Sequence, residues 1–194
     1  REVLPGNAMI ATAVASPLLT PFKLTFFAAL FLAMPVVLFQ IWNFIAPGLY
    51  KKEKRFAVPL LATSIILFYL GITFAYIVVF PLMFGFFTSV APAGVEVQTD
   101  ITQFLDFVTT IVFAFGIAFE VPVATVLVVW AGLTNVEKLG KARPYVFLMA
   151  FIAGMFLTPP DVISQTLLAV PVYILYELGI IMSRIFVKKS DTSQ

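Results

Sequence analysis

Two acidic residues stand where a carboxylate could bind a cation or a polar side chain in apolar surroundings. Glu53 lies in the basic segment KKEKR (51–55), which separates two long apolar runs, and Glu120 lies near the middle of another apolar run. A carboxylate accepts two parallel hydrogen bonds from a guanidinium, so Glu53 could receive an arginine of a partner. On chemistry alone, a solvated loop charge is the simpler interpretation of Glu53.

Of the two acids, Glu120 is the stronger indication of a functional site, because its neighbours in the sequence are apolar. An ionisable side chain near the middle of a membrane span costs at least about 2.5 kcal/mol on insertion scales and usually faces protein or a water-filled cavity. A site for a partner helix or a substrate is the functional interpretation. A carboxyl that only hydrogen-bonds a neighbouring helix is the structural one, and the ion path of a channel or secondary transporter is a third. On one helix, Glu120 would share a broad sector with Asp106, Thr110, Gly116, Ile117 and Ala124.

The composition requires a membrane for most of the chain. Hydrophobic residues make up 61% of the 194 residues and charged residues 11%, whereas soluble domains carry roughly 25% charged residues. Uncharged runs of about 20 residues, long enough to cross the hydrocarbon layer as a helix, recur along the sequence. We therefore predict an all-α, polytopic membrane protein.

The residue types that most catalytic and metal sites need are missing. The chain has no Cys and no His, which removes thiolate ligands, the commonest metal ligand and the usual general base. Common enzyme motifs with glycine-rich loops or zinc ligands are also absent from the sequence. The net charge of +2 does not favour nucleic acid. We expect no enzyme, cofactor, metal site or nucleic-acid partner.

The apolar runs predict a single transmembrane domain over 1–194 with five spans, of which the last two are short. Proline sets several limits, because it lacks the N–H that a continuing helix needs. Pro81 is expected to break the second span, Pro144 to lie in the first turn of the fourth, and Pro35 to kink the first. The parts in order are a segment at 1–23, spans near 24–45, 59–80, 107–130, 144–158 and 162–187, and a tail at 188–194.

The distribution of Lys and Arg predicts the orientation. Short cytoplasmic loops are enriched in these residues, and they cluster here in the alternate stretches 51–55, 138–143 and 184–189. The stretch 88–106 between two of them is acidic and has no Lys or Arg. This pattern places 1–23 outside and the C-terminus in the cytoplasm. Because the chain opens on Arg and not on Met, we expect a fragment or a processed chain.

A proline turn joins the last two spans and is bracketed by Met155, Thr158 and Gln165. A polar group this close to the lipid boundary can hydrogen-bond an incoming helix, although such bonds average only about 0.6 kcal/mol. The turn TPPD (158–161) would need its prolines and a capping Asp161 whether or not a partner binds. Both interpretations of this hairpin stay open.

Five stretches in order resemble the TatC family, a component of the twin-arginine protein translocase. They cover nearly the whole chain, so the resemblance is specific. It implies a six-helix protein of the bacterial inner membrane with both termini cytoplasmic, of which this chain would lack the first helix. The stretches are ASPLLTPFKLTF (15–26), FQIWNFIAPGLYKKEKR (39–55), FAFGIAFEVPV (113–123), KARPY (141–145) and LTPPDVISQ (157–165).

The resemblance also implies a function and its residues. Members of the family receive folded precursors with twin-arginine signal peptides, associate with themselves and with the single-span proteins TatA and TatB, and support export driven by the proton-motive force. Glu53, with Phe44 and Arg55 beside it, matches the patch proposed to receive the two arginines. The residues that match the family's intramembrane acid and its docking cluster for partner helices are Glu120, Met155, Thr158 and Gln165.

Overall fold

A computed structural model describes the backbone of residues 16–45, 54–90, 100–158 and 162–191, and the side chains of 19–43, 58–89, 100–158 and 162–185. The described chain is almost entirely helical, which confirms the predicted all-α class. Its elements are α1 (Ser16–Ile45), α2 (Lys54–Phe74), a π-helical turn (Ala75–Val79), α3 (Phe80–Val90), α4 (Ile101–Ala118), α5 (Val121–Trp130), α6 (Val136–Leu157) and α7 (Val162–Asp191).

Five helical segments are long and apolar enough to cross a membrane, as the sequence predicted. The last two are the shortest, with 22 and 24 residues. The limits of the spans inside these helices, the segment 1–23 and the tail 188–194 stay predictions. The five candidate segments are Leu19–Asn43, Val58–Ser89, Ile101–Trp130, Val136–Leu157 and Val162–Ile185.

Pro81 does not break the second segment, contrary to the sequence prediction. The helix widens into the π-helical turn directly before the proline, where the N–H of Phe80 bonds to the carbonyl of Ala75, five residues back. This wider turn makes room for the proline ring, which would otherwise collide with the carbonyl of the preceding turn. The chain therefore continues as α3 to Val90.

The start of α6 also differs from the prediction, because Pro144 lies inside the helix and not in its first turn. Gly132 has φ 70° and follows the end of α5, a conformation that glycine adopts without strain. Asn135 then caps α6, its side-chain oxygen accepting from the N–H of Lys138 at 2.8 Å. This cap starts the helix at Val136, eight residues before the proline.

Glycines allow the central helices to approach closely. A Cβ on Gly71 of α2 would lie 2.5 Å from the carbonyl oxygen of Phe115 on α4, and one on Gly116 of α4 would lie 2.6 Å from the ring of Phe68 on α2. On α7, a Cβ on Gly179 would lie 2.9 Å from the Cα of Pro122 on α5. Small residues at such crossings are the usual means of helix packing in membranes, and they set the spacing around α4 and α5.

Gly71→Ala is expected to lower the free energy of unfolding of the protein in detergent by about 1–3 kcal/mol, because the new methyl group meets the backbone of α4 and forces the helices apart. The melting temperature is expected to fall with it. Gly85→Ala is the matched control, since a Cβ there meets nothing within 4 Å, and it is expected to leave stability unchanged or slightly raised. Thermal unfolding of both variants measures this, and equal melting temperatures would contradict the packing role of Gly71.

Candidate functional site

Glu120 lies at a break in the third apolar segment. Pro122 has no N–H to give to the carbonyl of Ala118, so α4 ends there and α5 begins at Val121 with the proline in its first turn. In the turn between them, the N–H of Glu120 bonds to the carbonyl of Ile117 at 3.0 Å. The acid is thus held at a fixed corner of the backbone in the middle of the segment.

The carboxyl of Glu120 faces α2. The hydroxyl of Ser64, a side chain that is 1% exposed, donates a hydrogen bond to its Oε2 atom. The Oε1 atom is buried and has no hydrogen-bond partner among the described residues. A buried acceptor without a donor costs about 1–3 kcal/mol, so a donor that reached this oxygen would be stabilised by the contact.

The residues of the broad sector predicted around Glu120 contact different parts of the protein. Glu120 and Gly116 lie against α2, whereas Thr110 and Ile117 line a cavity of about 520 Å³ between α1, α4, α6 and α7. Thr110 and Gly116 are six residues apart, so at 3.6 residues per turn their side chains point in directions about a third of a turn apart around the helix axis. The sector was therefore wide enough to contact different neighbours, and it is not a single face.

Asp106 belongs to neither group, because it pairs with Lys23 of α1. The Lys23 Nζ atom lies 2.9 Å from Oδ1 and 3.0 Å from Oδ2 of Asp106. A second contact between the same helices joins the hydroxyl oxygens of Thr20 and Thr102 at 3.5 Å. These contacts fasten the beginning of α1 to the beginning of α4.

The three predicted docking residues of the hairpin of α6 and α7 differ in their exposure. Met155 is 53% exposed, whereas Thr158 is buried and its hydroxyl donates to the carbonyl of Gly154 at 2.9 Å. Gln165 is half-buried, packs beside Gly154, and its amide makes no hydrogen bond to a described residue. The arrangement leaves Met155 and the amide of Gln165 available to a partner.

The predicted signal-peptide residues lie outside the described part of the chain: Glu53 entirely, and Phe44 and Arg55 as side chains. The helix ends on either side of the segment 46–53 are described. Trp42 of α1 and Leu60 of α2 are buried together against α5, in a cluster with Val123 and Val126. The two helices that flank the basic segment therefore rest on the helix that begins directly after Glu120.

An ion pair that the sequence did not predict joins the other end of the hairpin. Arg143 donates from Nε and Nη2 to the two carboxylate oxygens of Glu177, at 2.6 and 2.8 Å. The Tyr176 hydroxyl donates to the carbonyl of Leu139 at 2.8 Å. Glu177 therefore joins α6 to α7.

The fold and the site together define a class: a polytopic α-helical membrane protein with a carboxyl held between its central helices. A sequence model described as Sec-independent protein translocase protein (TatC) matches residues 2–171. Because this match covers most of the chain, the chain belongs to the TatC family.

Individual relatives agree with this assignment. The chain is 64% identical over 181 residues to a Sec-independent protein translocase protein TatC of Azotobacter chroococcum mcd 1, covering 93% of this chain and 71% of that protein. It is 57% identical over 189 residues to the TatC protein of Escherichia coli strain K12, covering 97% and 73%. A crystal structure of the twin arginine translocase receptor TatC aligns with a TM-score of 0.84 at 35% identity, covering 95% of this chain and 81% of that one.

Family membership confirms the resemblance drawn from the sequence motifs. The chain is a component of the Sec-independent protein translocase, a multi-pass protein of the inner membrane that functions with other proteins in the lipid bilayer. The family is one of translocase components and not of enzymes. This favours the partner-helix interpretation of Glu120 over an ion path.

Proposed function

We propose that this chain binds the paired arginines of twin-arginine signal peptides and recruits single-span partner proteins of the TatA and TatB type. The observation that carries the proposal is the match in fold and sequence to a protein described as the twin arginine translocase receptor. Folded precursors are the cargo, the proton-motive force drives their export, and copies of the chain associate in a receptor complex.

The signal-peptide half of the proposal rests on Glu53. It is the only acid in the segment 51–55, where it stands among four basic residues. A guanidinium pair bound there would satisfy both carboxylate oxygens with charge-assisted hydrogen bonds. Phe44 and Arg55 lie in the same patch of sequence, and the apolar ring would line one side of the site.

The partner half of the proposal rests on the hairpin and on Glu120. Met155 offers an exposed, adaptable apolar contact, and the amide of Gln165 has donors and an acceptor without described partners. Thr158 supports this surface from inside, since its hydroxyl bonds to Gly154 and the backbone of Gln165 packs there. Glu120 contributes a second acceptor, which a donor of an incoming helix would reach once the carboxyl turns away from α2.

The orientation follows from the basic loops. We place 51–55, 138–143 and 184–189 in the cytoplasm, with the segment 1–23 outside and the C-terminus inside, because short cytoplasmic loops carry the excess of Lys and Arg. Glu53 then lies on the side from which precursors arrive. The hairpin turn at 158–161 lies on the opposite side of the membrane.

Gln165→Leu is expected to lower crosslinking of partner helices about threefold, the effect of one average interhelical hydrogen bond. A photoreactive residue at Met155 of the full-length protein reports the contact in membranes that contain TatA and TatB. Thr166→Val is the matched control, because the Thr166 hydroxyl donates within its own helix to the carbonyl of Val162 at 2.6 Å. Equal crosslinking in the wild type and Gln165→Leu would remove this residue from the proposed site.

A further inference from the structure

Ser64 differs from the threonines of α2 in where its hydroxyl donates. Thr63 and Thr73 each donate to the carbonyl four residues earlier in their own helix, at 2.9 and 2.8 Å, a common way to satisfy a hydroxyl inside a helix. The hydroxyl of Ser64 instead crosses from α2 to the carboxyl of Glu120. Its hydrogen bond therefore joins two helices and acts on an acid.

The packing of α2 against α4 fixes the position of Ser64. Phe68 and Gly71 follow it by four and seven residues, close to one and two turns, so the three share one face of α2. On this face a Cβ on Gly71 would lie 2.5 Å from a backbone oxygen of α4, and one on Gly116 of α4 would lie 2.6 Å from the ring of Phe68. Gly116 precedes Glu120 by four residues. The tight helix contact therefore holds Ser64 and Glu120 opposite each other.

The carboxyl of Glu120 is satisfied on one side only. Its Oε2 atom accepts from Ser64, whereas Oε1 is buried and has no hydrogen-bond partner among the described residues. A buried acceptor without a donor is costly, and this cost offsets the gain from the bond at Oε2. The orientation of the carboxyl towards α2 thus depends on the bond from Ser64, and a donor from outside the chain would compete with that bond.

We propose that Ser64 is a positioning residue for Glu120, whose carboxyl it keeps turned towards α2 until a partner helix supplies a donor in its place. A buried oxygen cannot be reached from the bilayer, so docking of a helix at Glu120 requires the carboxyl to turn, and the bond to Ser64 breaks as it turns. The partner would be a single-span helix with a hydroxyl or amide donor at the depth of Glu120. The inference rests on the proposed recruitment of partner helices by Glu120, and it adds the contact that recruitment must displace.

Labelling of Glu120 with dicyclohexylcarbodiimide, an apolar reagent that modifies carboxyl groups in membranes, measures the orientation directly. The full-length protein is labelled in proteoliposomes without partners, and mass spectrometry of its peptides gives the rate at each acid. Ser64→Ala is expected to raise the rate at Glu120 about threefold, the effect of one average interhelical hydrogen bond, and to leave the rate at Asp106 unchanged. Thr63→Val is the matched control, because the Thr63 hydroxyl donates to the carbonyl of Pro59 in its own helix.

Recruitment of partner helices is expected to rise in the same variant. With the competing donor removed, Glu120 is available to the partner, so crosslinking from a photoreactive residue at Met155 to TatA and TatB is expected to increase about threefold in Ser64→Ala. A variant that only loosened the packing of α2 would lower the crosslink and not raise it. In the background of Glu120→Ala, Ser64→Ala is expected to change the crosslink no further, because the two residues act through one contact.

The two readouts separate the parts of the proposal. Ser64→Cys keeps a weak donor in place of the hydroxyl and is expected to label at an intermediate rate. An unchanged labelling rate in Ser64→Ala, or an equal rise in Thr63→Val, would overturn the proposal. Faster labelling with unchanged or weaker crosslinking would overturn its link to recruitment. If Glu120→Ala crosslinks to partners as the wild type does, the proposed function of Glu120 is refuted, and the labelling rate still decides whether Ser64 holds the carboxyl.

Discussion

Glu53→Gln is expected to reduce the affinity for a twin-arginine signal peptide on the order of tenfold to a hundredfold. The amide keeps the shape of the side chain but loses its charge and one acceptor, and hydrogen bonds to charged groups are worth about 1.5–3 kcal/mol. Titration of the full-length protein in nanodiscs with a fluorescent signal peptide measures the change. Export of a folded twin-arginine precursor is expected to fall with it.

Two further variants isolate the charge at this position. Glu53→Asp keeps the carboxylate and is expected to retain part of the affinity. Glu137→Gln removes another exposed acid, at the first turn of α6, and is expected to bind as the wild type does. If Glu137→Gln weakened binding as much as Glu53→Gln, the effect would be one of overall charge and not of a specific site.

Glu120→Ala is expected to lower partner recruitment on the order of tenfold while signal-peptide affinity stays near that of the wild type. The substitution removes both carboxyl oxygens, including the buried Oε1 atom that has no described partner, and a hydrogen bond to such an acceptor is worth about 0.5–1.5 kcal/mol, the upper end of which is tenfold in affinity. Crosslinking from Met155 to the partner helices reports the first step, and peptide titration reports the second.

Controls distinguish recruitment from folding at Glu120. Glu120→Gln keeps an oxygen that can accept from Ser64, so it is expected to preserve the contact between α2 and the corner of α4 and α5. Asp106→Asn changes an acid that is paired with Lys23 near the start of α4, and it is expected to leave recruitment intact. Loss of both peptide binding and recruitment in Glu120→Ala would instead indicate a structural role.

The helices were predictable because a membrane makes their sequence signal strong. Every backbone group must be paired internally in hydrocarbon, and a helix meets this requirement within each of the five long apolar runs. The predictions were wrong where a helix limit was inferred from a proline without regard to the residues before it. At Pro81 a wider turn absorbs the ring, and at Pro144 the cap at Asn135 starts the helix earlier.

The contacts between helices could not be predicted from the sequence. Ser64 and Glu120 are 56 residues apart, and Arg143 and Glu177 are 34 apart, so no local spacing connects them. Glu53 and Gln165, in contrast, were candidates from their residue types and positions in the sequence, and the resemblance of their motifs implied their roles.

Photocrosslinking from position 44 in membranes tests the central claim most directly, because Phe44 lies in the proposed patch and its replacement leaves Glu53 intact. The full-length protein with a photoreactive residue there is presented with a precursor whose signal peptide carries two arginines, and with one that carries two lysines. We predict a strong crosslink to the arginine form that falls with lysines, since the guanidinium fork matches a carboxylate and an ammonium does not, and that is lost in Glu53→Gln. Equal crosslinking of both precursors, or an undiminished crosslink in Glu53→Gln, would contradict the account.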